Sequence, residues 1–265
     1  MKINNEHAEA IIKLYETNSL KKIAELYNST SLTIRKILEK NGYAKRSKGF
    51  LNMSKIEINV DYFKIIDSKD KAYWFGYLAA DGSVYKNGRK TSLISKDYEI
   101  IEKFKQDIGS GHKISENKIS DKRTNKIYTS YQIQITNEIF TNNLISAGLS
   151  NDKTDSFKFP NIDEKYYSYF IAGLFDGDGS VYKGSKNSIR INLISTIEVI
   201  LFIEKLIFSK FGIGKLYVKK VTKNKPNVWK MYLSKDCYKF LDFIYQDDTF
   251  KYLPRKYELY LKYKK

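Results

Sequence analysis

Two stretches of the chain are near copies of each other. YWFGYLAADGSVYK (Tyr73 to Lys86) aligns with FIAGLFDGDGSVYK (Phe170 to Lys183), identical at Gly76/Gly173 and through the run DGSVYK. The likeness continues downstream: SLISKD (Ser92 to Asp97) faces NLISTI (Asn192 to Ile197). A helix-like stretch follows in each copy, then Gly109-Ser110-Gly111 or Gly212-Ile213-Gly214, then two strand-like runs. A half that cannot bury its own seam must pack against its copy. The expected unit is helix, two strands, helix, two strands, helix, used twice. That is a duplicated αββαββα fold of the α+β class with pseudo-twofold symmetry.

In each copy the first helix is expected to start at a capping residue, Ser68 or Asp163, and to stop at the Asp-Gly dipeptide. Small residues lie one turn apart on it, Gly76 and Ala80 in one copy, Gly173 and Gly177 in the other. Glycine inside a helix costs about 1 kcal/mol relative to alanine. Its use at matching positions predicts that the two helix backbones pack very closely against each other.

Asp81 and Asp178 end these helices. A carboxylate beside the negative pole of a helix is unfavourable by roughly 0.3–1 kcal/mol. A single Asp-Gly is ordinary helix-stop chemistry. Two, on parallel helices packed side by side, set two carboxylates face to face, which suits a divalent cation. Hard oxygen ligands favour Mg²⁺, with Mn²⁺ as a substitute, held by one or two carboxylates plus substrate phosphates. Ala80 and Gly177, immediately before the two aspartates, are assigned to the same metal site.

The segment before the repeats reads differently. Ala10, Ile11, Leu14 and Tyr15 share a helical face, Ser19 can cap a second helix, and Ser31 can cap a third that ends at Asn41-Gly42. Three short helices over residues 1–46 read as a helix-turn-helix, with Thr33, Arg35 and Lys36 turned outward on the third. A plain three-helix bundle with a solvated basic face is the alternative. Residues 47–55 read as a basic linker, residues 56–155 as the first repeat and residues 156–265 as the second.

Charge then narrows the partners. Lysine and arginine number 47 against 30 aspartates and glutamates, a net charge of +17. Such a chain attracts polyanions; nucleic acid is the expected one, with a ribosome or an anionic membrane surface also compatible. One cysteine, Cys237, and two histidines, His7 and His112, exclude a disulfide framework and a zinc site built from them. No apolar run approaches the ~18 residues that span a bilayer. The N-terminus lacks a signal-peptide core. The expectation is a cytoplasmic protein of bacterial or phage origin, or else an organelle-encoded one.

WFGYLAADG and IAGLFDGDG resemble the two signature motifs of single-chain LAGLIDADG homing endonucleases, and the resemblance spans about Ile56 to Lys265. It implies two antiparallel sheets lying over DNA, with the motif helices forming the central interface. It also implies a metal-dependent double-strand cut in a long, pseudo-symmetric or asymmetric target site, made by a monomer. Asp81 and Asp178 match the motif's last acidic residue, which binds the catalytic metals. The first motif departs from the pattern, with Ala79 where the second has Asp176 and Trp74 for the leading leucine. Lys153 and Lys256 resemble the family's lysines near the metals, and Lys96 and Thr196 its polar water-positioning residues.

The expected DNA surface follows the strands. Lys86, Arg89 and Lys90 come after the first motif, Lys183, Lys186 and Arg190 after the second. Lys122 and Arg123, then Lys219, Lys220, Lys223 and Lys225, lie in the outer hairpins. Most of these suit phosphates, whereas Gln132, Gln134 and Arg190 suit base edges. A non-cutting DNA-binding regulator or an intron RNA maturase on the same scaffold is the alternative. A degenerate member of the family should have lost one of the two aspartates, and this chain has kept both.

Overall fold

The computed structural model describes residues 7–43, 56–121, 126–184, 189–214, 216–221, 227–234 and 236–264. The chain divides into two compact units, Met1–Glu57 and Ile58–Lys265. The expected linker, residues 47–55, lies outside the described residues, as do Lys122, Arg123, Lys186, Lys223 and Lys225.

The first unit has three helices, α1 (Ala8–Thr17), α2 (Leu20–Leu26) and α3 (Ser31–Lys40). The Ser19 hydroxyl caps α2 by accepting the Lys22 N–H at 3.1 Å. The cap of α3 is Thr30 rather than Ser31, its hydroxyl accepting the Thr33 N–H at 3.2 Å. Asn41 and Gly42 stop α3, with Gly42 at φ +81°, a left-handed conformation that glycine adopts without penalty. Ile11, Tyr15, Ile23, Ala24, Ile34 and Leu38 form the small core.

In the second unit each repeat opens with a motif helix, α4 (Lys69–Asp81) or α8 (Tyr167–Asp178). The first repeat continues through β1 (Gly82–Val84), β2 (Thr91–Ser95), α5 (Tyr98–Asp107), β3 (Ile114–Asp121), β4 (Lys126–Ile135) and α6 (Glu138–Ser146), and ends in the short α7 (Lys153–Ser156). The second runs through β5 (Gly179–Lys183), β6 (Ile189–Thr196), α9 (Ile197–Phe211), β7 (Tyr217–Lys220), β8 (Val228–Leu233), α10 (Cys237–Ile244) and α11 (Pro254–Tyr263). Each repeat makes one four-stranded antiparallel sheet, in the orders β1-β2-β4-β3 and β5-β6-β8-β7.

Strand alternation gives each sheet a core face and an open face. Leu93 pairs with Ile133, which pairs with Ile114; Leu193 pairs with Met231, which pairs with Val218. These rows pack into one continuous core with the motif helices.

The motif helices cross at their glycines. A Cβ on Gly76 would lie 2.0 Å from the Phe170 carbonyl oxygen, and one on Gly173 would lie 1.9 Å from that of Tyr73. Only hydrogen fits between these backbones. Ala72 to Ala79 and Phe170 to Asp176 are buried without a break, as expected of helices covered on every side. Ser68 caps α4 by accepting the Lys71 N–H at 3.3 Å. Asp163 instead caps a 3-10 turn, Glu164–Tyr166, and α8 begins after that turn.

Candidate functional site

The close crossing brings the C-terminal tips of α4 and α8 together. A Cβ on Gly177 would lie 2.3 Å from the Ala80 Cβ and 3.5 Å from an Asp81 carboxylate oxygen. Asp81 keeps an exposed edge and Asp178 is half-buried. Protein surrounds much of both carboxyls, so desolvation pushes both up, Asp178 to about 6. The Asp81 charge adds to the rise at Asp178, while Lys153 and Lys256 oppose the shift at both. Among the described residues no hydrogen bond contributes at either carboxyl.

Lys153 and Lys256 occupy matched places, and both turn inward. The Lys153 ammonium donates to the carbonyls of Leu78, Ala79 and Ala80 at 2.9, 2.8 and 2.5 Å. That of Lys256 donates to Phe175, Asp176 and Gly179 at 2.6, 2.7 and 2.5 Å, with Gly177 at 3.5 Å. Each lysine thus caps the end of a motif helix, where orphan carbonyls and the dipole favour a cation. Burial lowers both ammonium groups to about 8, while Asp81 and Asp178 pull in the opposite direction. The carbonyl of Ala80, a residue assigned above to the metal site, accepts the Lys153 ammonium.

Two sets of contacts near the tips were not expected from sequence. Asp176 is fully buried and accepts the Tyr245 hydroxyl at 2.6 Å, the Tyr73 hydroxyl at 2.7 Å and the Leu253 N–H at 2.9 Å. Burial raises its pKa, and these donors together with Lys256 pull it back. The Arg255 guanidinium, beside Lys256 on α11, donates to Asp97 at 2.9 Å and so ties the second repeat to the first. An aspartate within an apolar helix was the available signal for Asp176. Nothing local marks the pairing of Arg255 with Asp97.

Other expected site residues fall elsewhere. Thr196 is buried, and its hydroxyl donates to the Phe157 carbonyl at 2.5 Å, so it is not free to position a water. Lys96 is exposed just after β2. Lys86, Arg89 and Lys90 lie in the turn between β1 and β2, not on a strand. That turn is built on Asn87-Gly88, with Gly88 at φ +65°, a strong hairpin signal. Lys183 ends β5, and Lys219 and Lys220 lie exposed on β7. Gln132 and Gln134 on β4 and Arg190 on β6 fall on the open faces. In the first unit Thr33 and Lys36 are exposed, while Arg35 pairs with Glu39 at 2.7 Å.

The donor set at the tips fits a divalent cation held by two carboxylates with the rest of its shell from substrate and water. Among the described residues no group of three or more His, Cys, Asp and Glu side chains is placed to hold one by itself. Linkage makes the assignment measurable. With Asp178 raised to about 6, the folded protein holds a proton that the unfolded chain has released. Without divalent ions, stability should therefore fall as pH rises from about 4 to about 6. Above that range Mg²⁺ should restore it, raising the melting temperature near pH 7.5 but not near pH 5. Thermal melts with and without Mg²⁺ check this, and Asp178→Asn should erase the difference.

Comparison with known proteins now bears on this geometry. A family model described as a LAGLIDADG-like domain matches residues 68–143 and 165–245, one span in each repeat. The chain belongs to the LAGLIDADG family. No curated protein sequence matches this LAGLIDADG chain. Among solved structures, the homing endonuclease I-WcaI bound to its DNA recognition sequence superposes with a TM-score of 0.54 at 14% identity, covering 83% of this chain and 96% of that one. The meganuclease I-SmaMI bound to uncleavable DNA gives 0.47 at 15% identity, covering 74% and 90%. Full-length DUF199/WhiA from Thermatoga maritima gives 0.44 at 17% identity, covering 77% and 63%. The I-WcaI match shows that the duplicated fold is that of a single-chain LAGLIDADG protein. Among the described residues no helix is long and apolar enough to cross a membrane.

Proposed function

We propose that this LAGLIDADG chain is a site-specific double-strand DNA endonuclease that works as a monomer with Mg²⁺. The observation that carries the reading is the pair of acidic tips, Asp81 and Asp178, brought together where the two repeats cross. The similar fold of I-WcaI, a homing endonuclease bound to its DNA recognition sequence, supports DNA as the substrate. Net charge of +17 supports it independently.

In this reading Asp81 and Asp178 hold the divalent ions. When bound, such ions activate water and stabilise the leaving oxygen of a phosphodiester. The chain's own cations do the rest. Lys153 and Lys256 fix the helix ends and place positive charge beside the carboxylates, and Arg255 adds a third cation whose charge reaches Asp81. Because one chain carries both tips, it can address both strands without a partner copy. Lys96 remains available for the water-positioning role. Lys86, Arg89, Lys90, Lys183 and Lys220 are assigned to phosphates.

Selection from a randomised duplex library, with cut sites mapped in Mg²⁺ and in chelator, tests the reading. Paired cuts at a defined sequence, lost in chelator, are expected. Absence of any metal-dependent product would refute the nuclease.

The helix-turn-helix of the first unit lengthens the recognised site, with Thr33, Arg35 and Lys36 on its exposed helix. Deleting residues 1–46 should weaken site binding by about tenfold or more, the equivalent of a few phosphate or base contacts. Cleavage at saturating protein should change far less. An unchanged DNA footprint would argue against this role.

A further inference from the structure

The two sheets share topology and register, but their open faces differ in chemistry. One row across the first sheet reads Ile94, Gln132, Ser115. The same row across the second reads Ile194, Lys230, Lys219. The isoleucine is common to both, while an amide and a hydroxyl in one sheet stand where two ammonium groups stand in the other. The next row is Ser92 and Gln134 in the first sheet, and Asn192 and Tyr232 in the second. Arg190, opposite Tyr182, has Lys90, opposite Tyr85, as its counterpart, so the difference in charge rests on Lys230 and Lys219, and at this position a guanidinium stands for an ammonium.

In a chain with a net charge of +17, the described open-face side chains on the four strands of the first sheet carry no charge, and the cation beside them is Lys90, in the β1–β2 turn, with its ammonium 5.8 Å from the Tyr85 ring. That exclusion has a chemical consequence in a DNA groove. Glutamine offers an acceptor and a donor together, which match adenine N7 and N6 as a pair. An exposed isoleucine favours contact with the thymine methyl group. Arginine and lysine donate only, which matches the two acceptors of guanine, O6 and N7.

We infer that the target is chemically asymmetric: an A·T-rich half lies under the first sheet, read by Gln132 and Gln134, and a guanine-containing half lies under the second, read by Arg190 and Lys230. The inference rests on the proposed DNA-binding function and deepens it. The same arrangement makes the second half the more salt-sensitive one, because its face can also reach phosphates.

The test is a binding selection on random duplex DNA without divalent ions. It uses the full chain as wild type, as Gln132→Ala/Gln134→Ala and as Arg190→Ala/Lys230→Ala. The wild-type profile should divide into an A·T-rich half and a half with fixed guanines. The glutamine variant should lose roughly ten- to hundredfold preference at adenines of the first half and keep the guanines. The cationic variant should do the reverse. In each variant the untouched half reports that the protein is folded. Two halves of equal base composition, or either variant relaxing both halves alike, would overturn the inference while leaving DNA binding in place. Retention of no sequence by the wild type would remove the proposed function and this inference with it.

Discussion

Asp81→Asn or Asp178→Asn is expected to abolish double-strand cleavage while leaving DNA affinity nearly unchanged. Each substitution is almost isosteric and removes one negative charge from a pair that is already crowded. The protein should fold at least as well, since desolvation and the neighbouring carboxylate oppose the charged form of Asp178. What is lost is a hard anionic oxygen for the cation. Lewis-acid stabilisation of a phosphoryl transition state is worth several kcal/mol, so the cleavage rate should fall by about a thousandfold or more. Mobility-shift and single-turnover cleavage assays on one DNA duplex separate the two effects. Wild-type-like nicking of either strand by either variant would remove the metal assignment.

Gly76→Ala or Gly173→Ala should have the largest effect on stability. The added carbon would sit 2.0 or 1.9 Å from a carbonyl oxygen of the facing helix. Those contacts are backbone, so no side chain can swing aside. The helices must separate, in the centre of a close-packed core. A loss of about 3 kcal/mol or more is expected, at the upper end of overpacking effects and a large part of a typical folding free energy. Gly214→Ala is the control: nothing lies within 4 Å of its added carbon. Urea denaturation of the three variants checks the contrast. Equal midpoints for Gly76→Ala and Gly214→Ala would mean that the helices do not cross as described.

The duplication was legible in sequence because matched positions carry the same unusual residues. Glycine in an apolar helix and aspartate at its tip make little sense singly and good sense as a pair. Strand facing was legible only in part: Gln132-Ile133-Gln134-Ile135 alternates, but the adjacent apolar pairs Leu93-Ile94 and Leu193-Ile194 leave the facing of β2 and β6 open in sequence. Side-chain direction was not legible. Lys153 and Lys256 could be placed near the tips, but their turn onto helix carbonyls depends on how α7 and α11 dock, which no local pattern records. Thr196 shares strand parity with the open-face Ile194, yet the backbone at Phe157 covers it and takes its hydroxyl. Asn87-Gly88 is a turn signal that was passed over in assigning Lys86, Arg89 and Lys90 to the strands, and these residues belong to that turn.

The Asp176 carboxylate has a consequence for biosynthesis. Of its three donors Tyr73 precedes both acidic tips, but Tyr245 and Leu253, and the Lys256 cap that follows them, come after Asp81 and Asp178 in the chain. A nascent polypeptide therefore exposes both acidic groups long before its second half is braced. Were the proposed cleavage to need both tips braced, it would have to wait until α11 has been made and has docked on α8.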